Sequence, residues 1–362
     1  MIIINLIKLF IYNIVIMATK GFVTPSIRRR LRAETVTKFN PDRPTIIFTS
    51  GPTGSGKSSL PEKVLDIFFK KSYDVTIRNF LIDDYVESSD TYKNNVKDII
   101  RDFDCNKDET TETCNLNEPS KALLEAFGDA YFDVRQNGPC GLEPNPEFSC
   151  KLTMLNQIIE AIQANDNILI ETTGKKIPIE YLKTLASFTS IHNYNVLFVY
   201  AIVTFETLME RNKTRASRQM KEFIESNYEN PAPRLPDISF DVFKKSTANI
   251  EKTLITLRNK CMRLNQPSKD ACGPINNDGS FILLIFNNDD AKSKLIYDSR
   301  SSFDNLMSDR EFITYLQKYH LAVVGEKKSK QTKKAKRNSK NKLKHSKKHK
   351  KKTLKNKNKN RK

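Results

Sequence analysis

The chain has no C-x-x-C pair among its six cysteines, which lie at positions 105, 114, 140, 150, 261 and 272. Zinc knuckles and ribbons depend on such close spacings, and disulfide frameworks are typical of much shorter secreted chains than one of 362 residues. We therefore expect unpaired structural thiols in a reducing compartment, cytoplasmic or nuclear. A local zinc site is the alternative, because four of the cysteines fall within residues 105–150.

Acidic residues are absent from residues 327–362, which contain 20 lysines and arginines. The rest of the chain has 41 basic and 42 acidic residues, so the formal net charge of +19 resides in this segment. Residues 326–362 also have almost no apolar content, which predicts a disordered Lys-rich tail. Such a tail could bind nucleic acid non-specifically through the phosphates, or it could be a solubilising or targeting segment.

The N-terminal apolar stretch, residues 1–17, lacks the marks of a signal peptide or a membrane anchor. It is short for a membrane span, is interrupted by Lys8, and has neither a basic start nor an A-x-A cleavage site. An over-extended start, with Met17 as the true first residue, explains it better than an anchor, and no membrane partner is expected. Residues 18–43 then form a polar, basic lead-in.

A phosphate-binding motif is present after the apolar segment Thr45–Phe48. The run Gly51-Pro52-Thr53-Gly54-Ser55-Gly56-Lys57-Ser58-Ser59 matches the P-loop pattern G-x-x-x-x-G-K-[ST]. Small residues let successive backbone N–H groups point at an anion, and the following helix adds its positive N-terminus. We expect Lys57 to contact the β- and γ-phosphates of ATP and the Ser58 hydroxyl to bind Mg²⁺.

Strand and helix patterns alternate through residues 44–325, which we assign to one domain. Five near-continuous apolar strands are predicted, at Thr45–Thr49, Ile77–Ile82, Asn167–Ile170, Asn195–Val203 and Phe281–Phe286. Such strands, separated by helices, predict an α/β fold with a parallel sheet covered on both faces. Residues 87–150 are too long for a loop and predict a helical insertion, whereas Asn227–Asp237, with three prolines, predicts a surface loop.

Polar residues follow several of these strands, at the edge of the sheet where ligands of parallel sheets bind. Asp83 and Asp84 end the second strand, where a carboxylate could accept the proton of an acceptor hydroxyl. Strand alternation would point the two to opposite faces, so only one should act, and a turn or capping role is the alternative. Glu171 ends the third strand and could bind Mg²⁺ or substrate, or be a solvated acid, while Thr173 could add a hydroxyl contact.

Three arginines, Arg211, Arg215 and Arg218, follow the fourth strand at spacings of four and three. This spacing places them on one face of a helix. A mobile helix with arginines facing the phosphates can neutralise the charge of a transferring phosphoryl group. An ordinary basic face paired with glutamates is the alternative.

Taken in order, these motifs resemble the zeta toxin-like group of P-loop kinases, within the P-loop nucleoside triphosphate hydrolase superfamily. The resemblance covers about residues 44–300 and rests on the P-loop, Ile82-Asp83-Asp84, Leu169–Gly174, the arginine segment and Phe286–Asp289. It implies a three-layer P-loop kinase fold around a parallel sheet of about five strands, with ATP and Mg²⁺ as cofactors. It further implies Asp84 as catalytic base with Asp83 as the fallback, Glu171 against substrate or metal, lid arginines on the phosphates, and Asn287 and Asn288 near the adenine.

The sequence thus predicts an ATP- and Mg²⁺-dependent kinase. The expected acceptor is a hydroxyl of an unidentified small or nucleotide-like molecule. One alternative is a polynucleotide end kinase whose tail adds affinity for nucleic acid. Another is a non-catalytic, nucleotide-dependent protein that binds or packages nucleic acid.

Overall fold

The computed structural model describes residues 39–68, 76–105, 114–142, 145–188, 193–261, 281–290, 293–301 and 307–320. The apolar stretch 1–17, most of the lead-in 18–43 and the Lys-rich tail 326–362 lie outside these residues, and the expectations for them stay predictions. No helix in the described ranges is both long enough and apolar enough to cross a membrane.

The described strands form one sheet in the order β2-β3-β1-β4-β5-β6. Five of them are parallel, namely β1 (Thr45–Ser50), β2 (Ile77–Phe80), β3 (Asn167–Thr172), β4 (Asn195–Ile202) and β5 (Phe281–Asn287). The sixth, β6 (Lys294–Asp298), pairs with β5 in the antiparallel direction and is an addition to the predicted sheet. The predicted α/β class is confirmed, and β1, which feeds the P-loop, lies in the middle of the sheet.

Helices follow most strands, as the alternating pattern predicts. Within the described ranges they are α1 (Leu60–Phe68), α2 (Ile82–Ser88), α3 (Asp90–Asp102), α4 (Lys121–Gln136), α5 (Cys150–Gln163), α6 (Ile179–Phe188), α7 (Phe205–Glu225), α8 (Phe240–Thr256) and α9 (Asp309–His320). A hydroxyl accepts a hydrogen bond from the first turn of five of them, the caps being Ser89, Ser120, Ser149, Thr204 and Ser239. Such caps satisfy backbone donors that a helix start leaves without partners.

Both faces of the sheet are buried along β1, β3, β4 and β5, which explains the apolar run that each of these strands contains. Along β1, Ile46 and Phe48 enter one core and Ile47 enters the other. Helix α1 covers the second face with Leu60 and Val64, and several other helices cover the first face. Three layers result, with the P-loop at the carboxyl edge of the middle layer.

The long excursion between β2 and β3 has a core of its own. Buried side chains of α2 to α4, including Tyr92, Leu123 and Phe127, pack together there. Helix α7 joins this cluster through Met220 and Phe223. The insertion is therefore attached to the helix that carries the arginines.

The described cysteines are not free thiols. Disulfides join Cys105 to Cys114 and Cys140 to Cys150, with Cα separations of 5.1 and 4.8 Å, and Cys261 is disulfide-bonded as well. The prediction of unpaired thiols is wrong for these residues, and the zinc alternative falls with it. Cys140 and Cys150 meet because the chain returns after α4, where the Cys140 N–H donates to the Phe148 carbonyl oxygen at 2.6 Å, and spacing alone does not indicate this return. The reducing compartment was expected because the thiols were expected to be free, so the cysteines no longer support that expectation.

Removal of the Cys140–Cys150 bridge should lower the stability of the insertion. Both cysteines are fully buried, and the bridge closes a short loop between α4 and α5. We expect the double variant Cys140→Ser/Cys150→Ser to lose about 2–3 kcal/mol of unfolding free energy in urea titrations, because the unfolded chain regains loop freedom. The intact protein treated with a reductant should lose at least as much. Equal stability of variant and wild type under oxidising conditions would show that the two sulfurs are not bonded.

The proline-containing segment 230–237 is a loop, as predicted, but its middle part is not at the surface. Ala232, Pro233, Arg234 and Leu235 are buried, and Ala232 and Leu235 belong to the core of the insertion. Three prolines suggested an exposed connection, but the apolar side chains between them pack against α2 and α3. The segment therefore reaches the carboxyl edge of the sheet.

Candidate active site

The P-loop has the backbone of an anion cradle. Gly54 and Gly56 have φ angles of +85° and +71°, in the left-handed region that favours glycine. A side chain at Gly54 would also collide with Asn212 of α7. In the described part of the chain, the N–H groups of Gly54, Gly56 and Lys57 donate to no protein acceptor. These free donors fit the phosphates of ATP.

Side chains from two directions hold the P-loop carbonyl groups. The Asn288 amide donates to the Ser55 and Gly56 carbonyl oxygens at 2.6 and 3.0 Å, and the Asn212 amide donates to the Thr53 carbonyl oxygen at 2.9 Å. With its carbonyl groups drawn to these braces, the loop can present its N–H groups to a ligand. Asn288 is buried, and its side-chain donor is engaged by the loop. The structure thus places Asn288 as a brace for the loop, and the adenine contact stays a prediction for it and for its half-buried neighbour Asn287.

Lys57 and Glu171 form a buried ion pair at the mouth of the P-loop. Their side chains are 9% and 14% exposed, and Lys57 Nζ lies 2.7 Å from Glu171 Oε1. The register of β1 and β3, with Thr49 opposite Glu171, brings the two together. Ser58 is exposed on the same short 3-10 turn, Lys57–Ser59. A hydroxyl and a carboxylate beside free N–H donors are oxygen ligands suited to Mg²⁺ next to a phosphate, so these residues fit the expected metal.

Asp83 and Asp84 lie in the first turn of α2, and not on the strand as predicted. Strand β2 ends at Phe80, so the alternation of side chains along a strand does not determine where Asp83 and Asp84 point. Asp83 faces the cavity beside Lys57, whereas Asp84 is exposed and does not line that cavity. Partial burial of its carboxyl group, together with the charges of Glu171 and Asp83, raises the pKa of Asp84.

Two donors hold one oxygen of Asp83. The Tyr131 hydroxyl donates to Asp83 Oδ1 at 2.5 Å, and the Arg234 guanidinium forms an ion pair with the same oxygen. Burial alone would raise the pKa of Asp83, but Arg234, Tyr131 and Lys57 outweigh it and hold the pKa below its usual value. Burial also raises the pKa of Tyr131, which keeps its hydroxyl protonated as a donor.

A cavity of about 980 Å³ opens beside the P-loop and Asp83. Helix α4 of the insertion contributes Tyr131 and Arg135, and the segment after β3 contributes Thr173 and two lysines. Seven basic side chains and three acidic ones line it, the basic set being Lys57, Arg135, Lys151, Lys175, Lys176, Arg234 and Lys252. The acidic set is Asp83, Glu171 and Glu180. This balance favours an anionic ligand.

The three predicted arginines of α7 do not act as one row. Arg211 donates to the Ser55 carbonyl oxygen at 3.4 Å and to the Asp289 carbonyl oxygen at 3.1 Å. Arg215 donates from Nη2 to Asn212 Oδ1 at 3.5 Å, and its buried Nε has no hydrogen-bond partner among the described residues. The Arg218 side chain is 67% exposed, and its Nε lies 3.8 Å from Glu222 Oε1. Arg218 therefore fits the alternative of an ordinary basic helix face paired with glutamates. The three share one face of α7, but Arg218 lies about two turns farther along the helix than Arg211, and spacing alone could not show which of them reach the P-loop.

Arg215 is not among the residues that line the cavity, but it lies close to several charged side chains of the site. Burial and the nearby Arg234 lower its pKa, while the carboxylates of Glu87, Asp83 and Glu171 oppose this effect. A guanidinium with an unused buried donor is suited to an incoming phosphate oxygen.

Four further residues of the site were missed by the sequence reasoning: Tyr131, Arg135, Arg234 and Glu87. Glu87 is buried, accepts from Gln219 at 3.0 Å, and has Oε1 3.7 Å from Arg234 Nε. Each lies in the insertion or in the proline-containing segment, away from the strand ends. Their only sequence signal is that these polar or charged residues lie in segments that also contain the apolar residues of the insertion core.

Glu87 should make stability depend on pH. Burial, reinforced by Asp83, raises its pKa from 4.5 to about 7 despite the opposing charge of Arg234. The folded state therefore holds a proton that the unfolded state releases above pH 4.5, so this contribution to stability is full at low pH and is lost as the pH rises to about 7. We expect the unfolding free energy to fall between pH 5 and 7 by at most about 1.4 kcal/mol per pH unit, and Glu87→Gln to flatten this slope.

The exposed Glu225→Gln, also a glutamate at a helix end, serves as the control for that measurement. Denaturant titrations from pH 5 to 8 should give parallel curves for this control and the wild type. Parallel curves for Glu87→Gln and the wild type would mean that Glu87 is ionised throughout this range.

Comparisons with known proteins give fold neighbours at low similarity. No protein-family model matches the chain, and no curated protein matches its sequence. A structure from the PezAT chromosomal toxin–antitoxin system of the human pathogen Streptococcus pneumoniae is 15% identical, with 83% of this chain and 88% of that chain covered and a TM-score of 0.39. D-glycerate 3-kinase from Cryptococcus neoformans is 11% identical, with coverages of 78% and 99% and a TM-score of 0.25. The likeness is too slight to carry a functional argument, which rests on the geometry of the site.

Proposed function

We propose that this protein is an ATP- and Mg²⁺-dependent kinase that transfers the γ-phosphate to a hydroxyl of a small or nucleotide-like, anionic acceptor. The observation that carries the proposal is that Lys57 of the P-loop and the carboxylate of Asp83 line the same cavity. A hydrolytic switch needs the first group, whereas transfer to a hydroxyl also needs a base next to an acceptor site.

The roles of the chain's own residues follow from their positions. The P-loop N–H groups and Lys57 hold the phosphates of the donor, and Arg215 offers its unused donor to the charge that develops on the transferring group. Ser58 and Glu171 would hold Mg²⁺, which supplies positive charge against the phosphate oxygens. Asp83 accepts the proton of the acceptor hydroxyl through Oδ2, to which no described residue donates a hydrogen bond.

The class of acceptor is inferred from the lining of the cavity. Arg135, Lys175, Lys176 and Lys252 lie outside the P-loop and face the space where an acceptor would bind. Such side chains favour a phosphate or carboxylate group on the acceptor. Tyr181, also in the lining, adds an aromatic surface to the same wall.

A second candidate keeps the chemistry but makes the acceptor a nucleic-acid 5′ end. The same basic lining supports it, and the Lys-rich tail at 327–362 would add affinity that falls steeply with salt. In that case removal of the tail should weaken turnover on oligonucleotides at low salt. Turnover on a small acceptor should not depend on the tail.

The test is transfer of labelled γ-phosphate by the purified full chain with Mg²⁺. The panel comprises nucleosides, nucleotide sugars, sugar phosphates, small hydroxy acids and 5′-hydroxyl oligonucleotides. Labelling of a small anionic acceptor is expected, and labelling only of oligonucleotides would replace the first candidate by the second. Release of inorganic phosphate with no labelled acceptor in any arm would overturn both and favour a non-catalytic or hydrolytic role.

A further inference from the structure

Arg234 joins the proline-containing segment 230–237 to Asp83. Its side chain is 10% exposed, and its guanidinium forms an ion pair with Asp83 Oδ1. It also lies over the Tyr131 ring, with 5.3 Å between the guanidinium carbon and the ring centroid. Among the described residues, the arginine that contacts Asp83 therefore comes from neither the P-loop nor α7.

The backbone around Arg234 is fixed at two points. The Ala232 N–H donates to the Glu87 carbonyl oxygen at 2.7 Å, and the Tyr92 hydroxyl donates to the Pro233 carbonyl oxygen at 3.0 Å. Proline at 233 also restricts its own φ angle and the conformation of Ala232 before it. Because this backbone is fixed, the Arg234 side chain starts from one position. It therefore loses less conformational entropy when it contacts Asp83.

The two donors to Asp83 converge on a single oxygen. Arg234, from the 230–237 segment, and Tyr131, from α4, both contact Oδ1. Rotation of the carboxyl group would therefore break an ion pair and a hydrogen bond. In the described residues no donor is directed at Oδ2. One oxygen is therefore held and the other is left for a ligand in the cavity.

We propose that Arg234 is a positioning residue, which holds Asp83 Oδ1 so that Oδ2 faces the acceptor hydroxyl. The inference rests on the proposed kinase function and adds a residue to its machinery. Arg234 acts through Asp83, and its loss should therefore impair the chemical step more than acceptor binding.

Charged and titratable groups from every neighbouring element bear on Asp83. Arg234 comes from the 230–237 segment, Tyr131 from α4 and Lys57 from the P-loop, and each of them favours the ionised carboxylate. Asp84 and Glu87 on α2 are neighbouring acids, as their own raised pKa values reflect. Removal of the Arg234 charge should therefore raise the pKa of Asp83 and move the acid limb of the rate profile to higher pH.

The test compares Arg234→Gln and Arg234→Lys in kcat, in KM for the acceptor, and in the pH profile of kcat/KM. We expect Arg234→Gln to lower kcat about 10- to 100-fold at neutral pH, with KM changed less than about threefold, and to shift the acid limb upward. Arg234→Lys should recover part of kcat and most of the acid limb, because it keeps the charge but not the planar fork. Arg101→Gln, an exposed arginine on α3, is the matched control and should retain wild-type values.

A second variant covers the case in which Arg234→Gln fails to fold. Tyr131→Phe removes the other Oδ1 donor without removing a charge and should shift the acid limb in the same direction by less. An unmoved acid limb in both variants, or a raised KM with unchanged kcat, would overturn the positioning role and make Arg234 a structural or acceptor-binding residue. Absence of transfer by the wild type would instead reject the kinase proposal itself.

Discussion

Replacing Lys57 by alanine should lower kcat for phosphoryl transfer by at least about 10³-fold, since in the proposed mechanism this ammonium group stabilises the transferring phosphate. Lys57 lines the cavity with Asp83, so the loss concerns the reacting end of the site. The decrease in kcat is measured by acceptor labelling at saturating ATP, compared between the variant and the wild type. Wild-type turnover in this variant would exclude Lys57 from the chemistry.

The same substitution has a stability effect that must be separated from catalysis. Lys57→Ala leaves Glu171 as a buried carboxylate without its partner, at a cost of about 3–5 kcal/mol of unfolding free energy. The double variant Lys57→Ala/Glu171→Gln removes the stranded charge and should regain most of that stability. Its kcat should stay as low as that of the single variant. Recovery of activity along with stability would mean that Lys57 serves folding only.

Asp83→Asn should lower kcat by about 10²- to 10⁴-fold, while Asp84→Asn should change it less than about threefold. The resemblance to zeta toxin-like kinases implied Asp84 as the base. The geometry favours Asp83, because Asp83 faces the cavity and has one oxygen held by Tyr131 and Arg234, whereas Asp84 is exposed at the rim. Asparagine keeps the size of the side chain and removes the proton acceptor.

Nucleotide binding distinguishes a chemical defect from a lost site. Both variants should bind a fluorescent ATP analogue as the wild type does, since neither residue belongs to the P-loop. If Asp84→Asn loses turnover and Asp83→Asn keeps it, the assignment from the resemblance is correct. A loss in both would indicate a coupled pair of carboxylates.

The parts of the site that could be predicted are those encoded in contiguous or periodic residues. The P-loop is nine successive residues, and the strand before it contains three successive apolar side chains, Ile46 to Phe48, buried on both faces. Glu171 could be placed because it follows a recognisable strand, and the edge of a parallel sheet gathers such residues. Local pattern and global topology agree at these positions.

The parts that escaped prediction depend on contacts between distant segments. Tyr131 and Asp83 are 48 residues apart, and Arg234 reaches Asp83 from still farther along the chain. Contacts between residues so far apart in the chain leave no signal in the local sequence pattern. The cysteine pairs escaped for the opposite reason, since their close spacing matched no known framework, and Asp83 was misplaced because a strand-to-helix junction was assigned to the strand.

The packing of α7 into the core of the insertion has a mechanical consequence. Ala216, Met220 and Phe223 of this helix belong to the same buried apolar cluster as side chains of α3 and α4, and Arg211 of the same helix donates to the Ser55 carbonyl oxygen of the P-loop. A lid that hinged independently would have to break that apolar contact at each turnover. Opening and closing should therefore occur as a rigid-body motion of α7 together with the insertion, in which the donor side and the acceptor side of the cavity are gated at once.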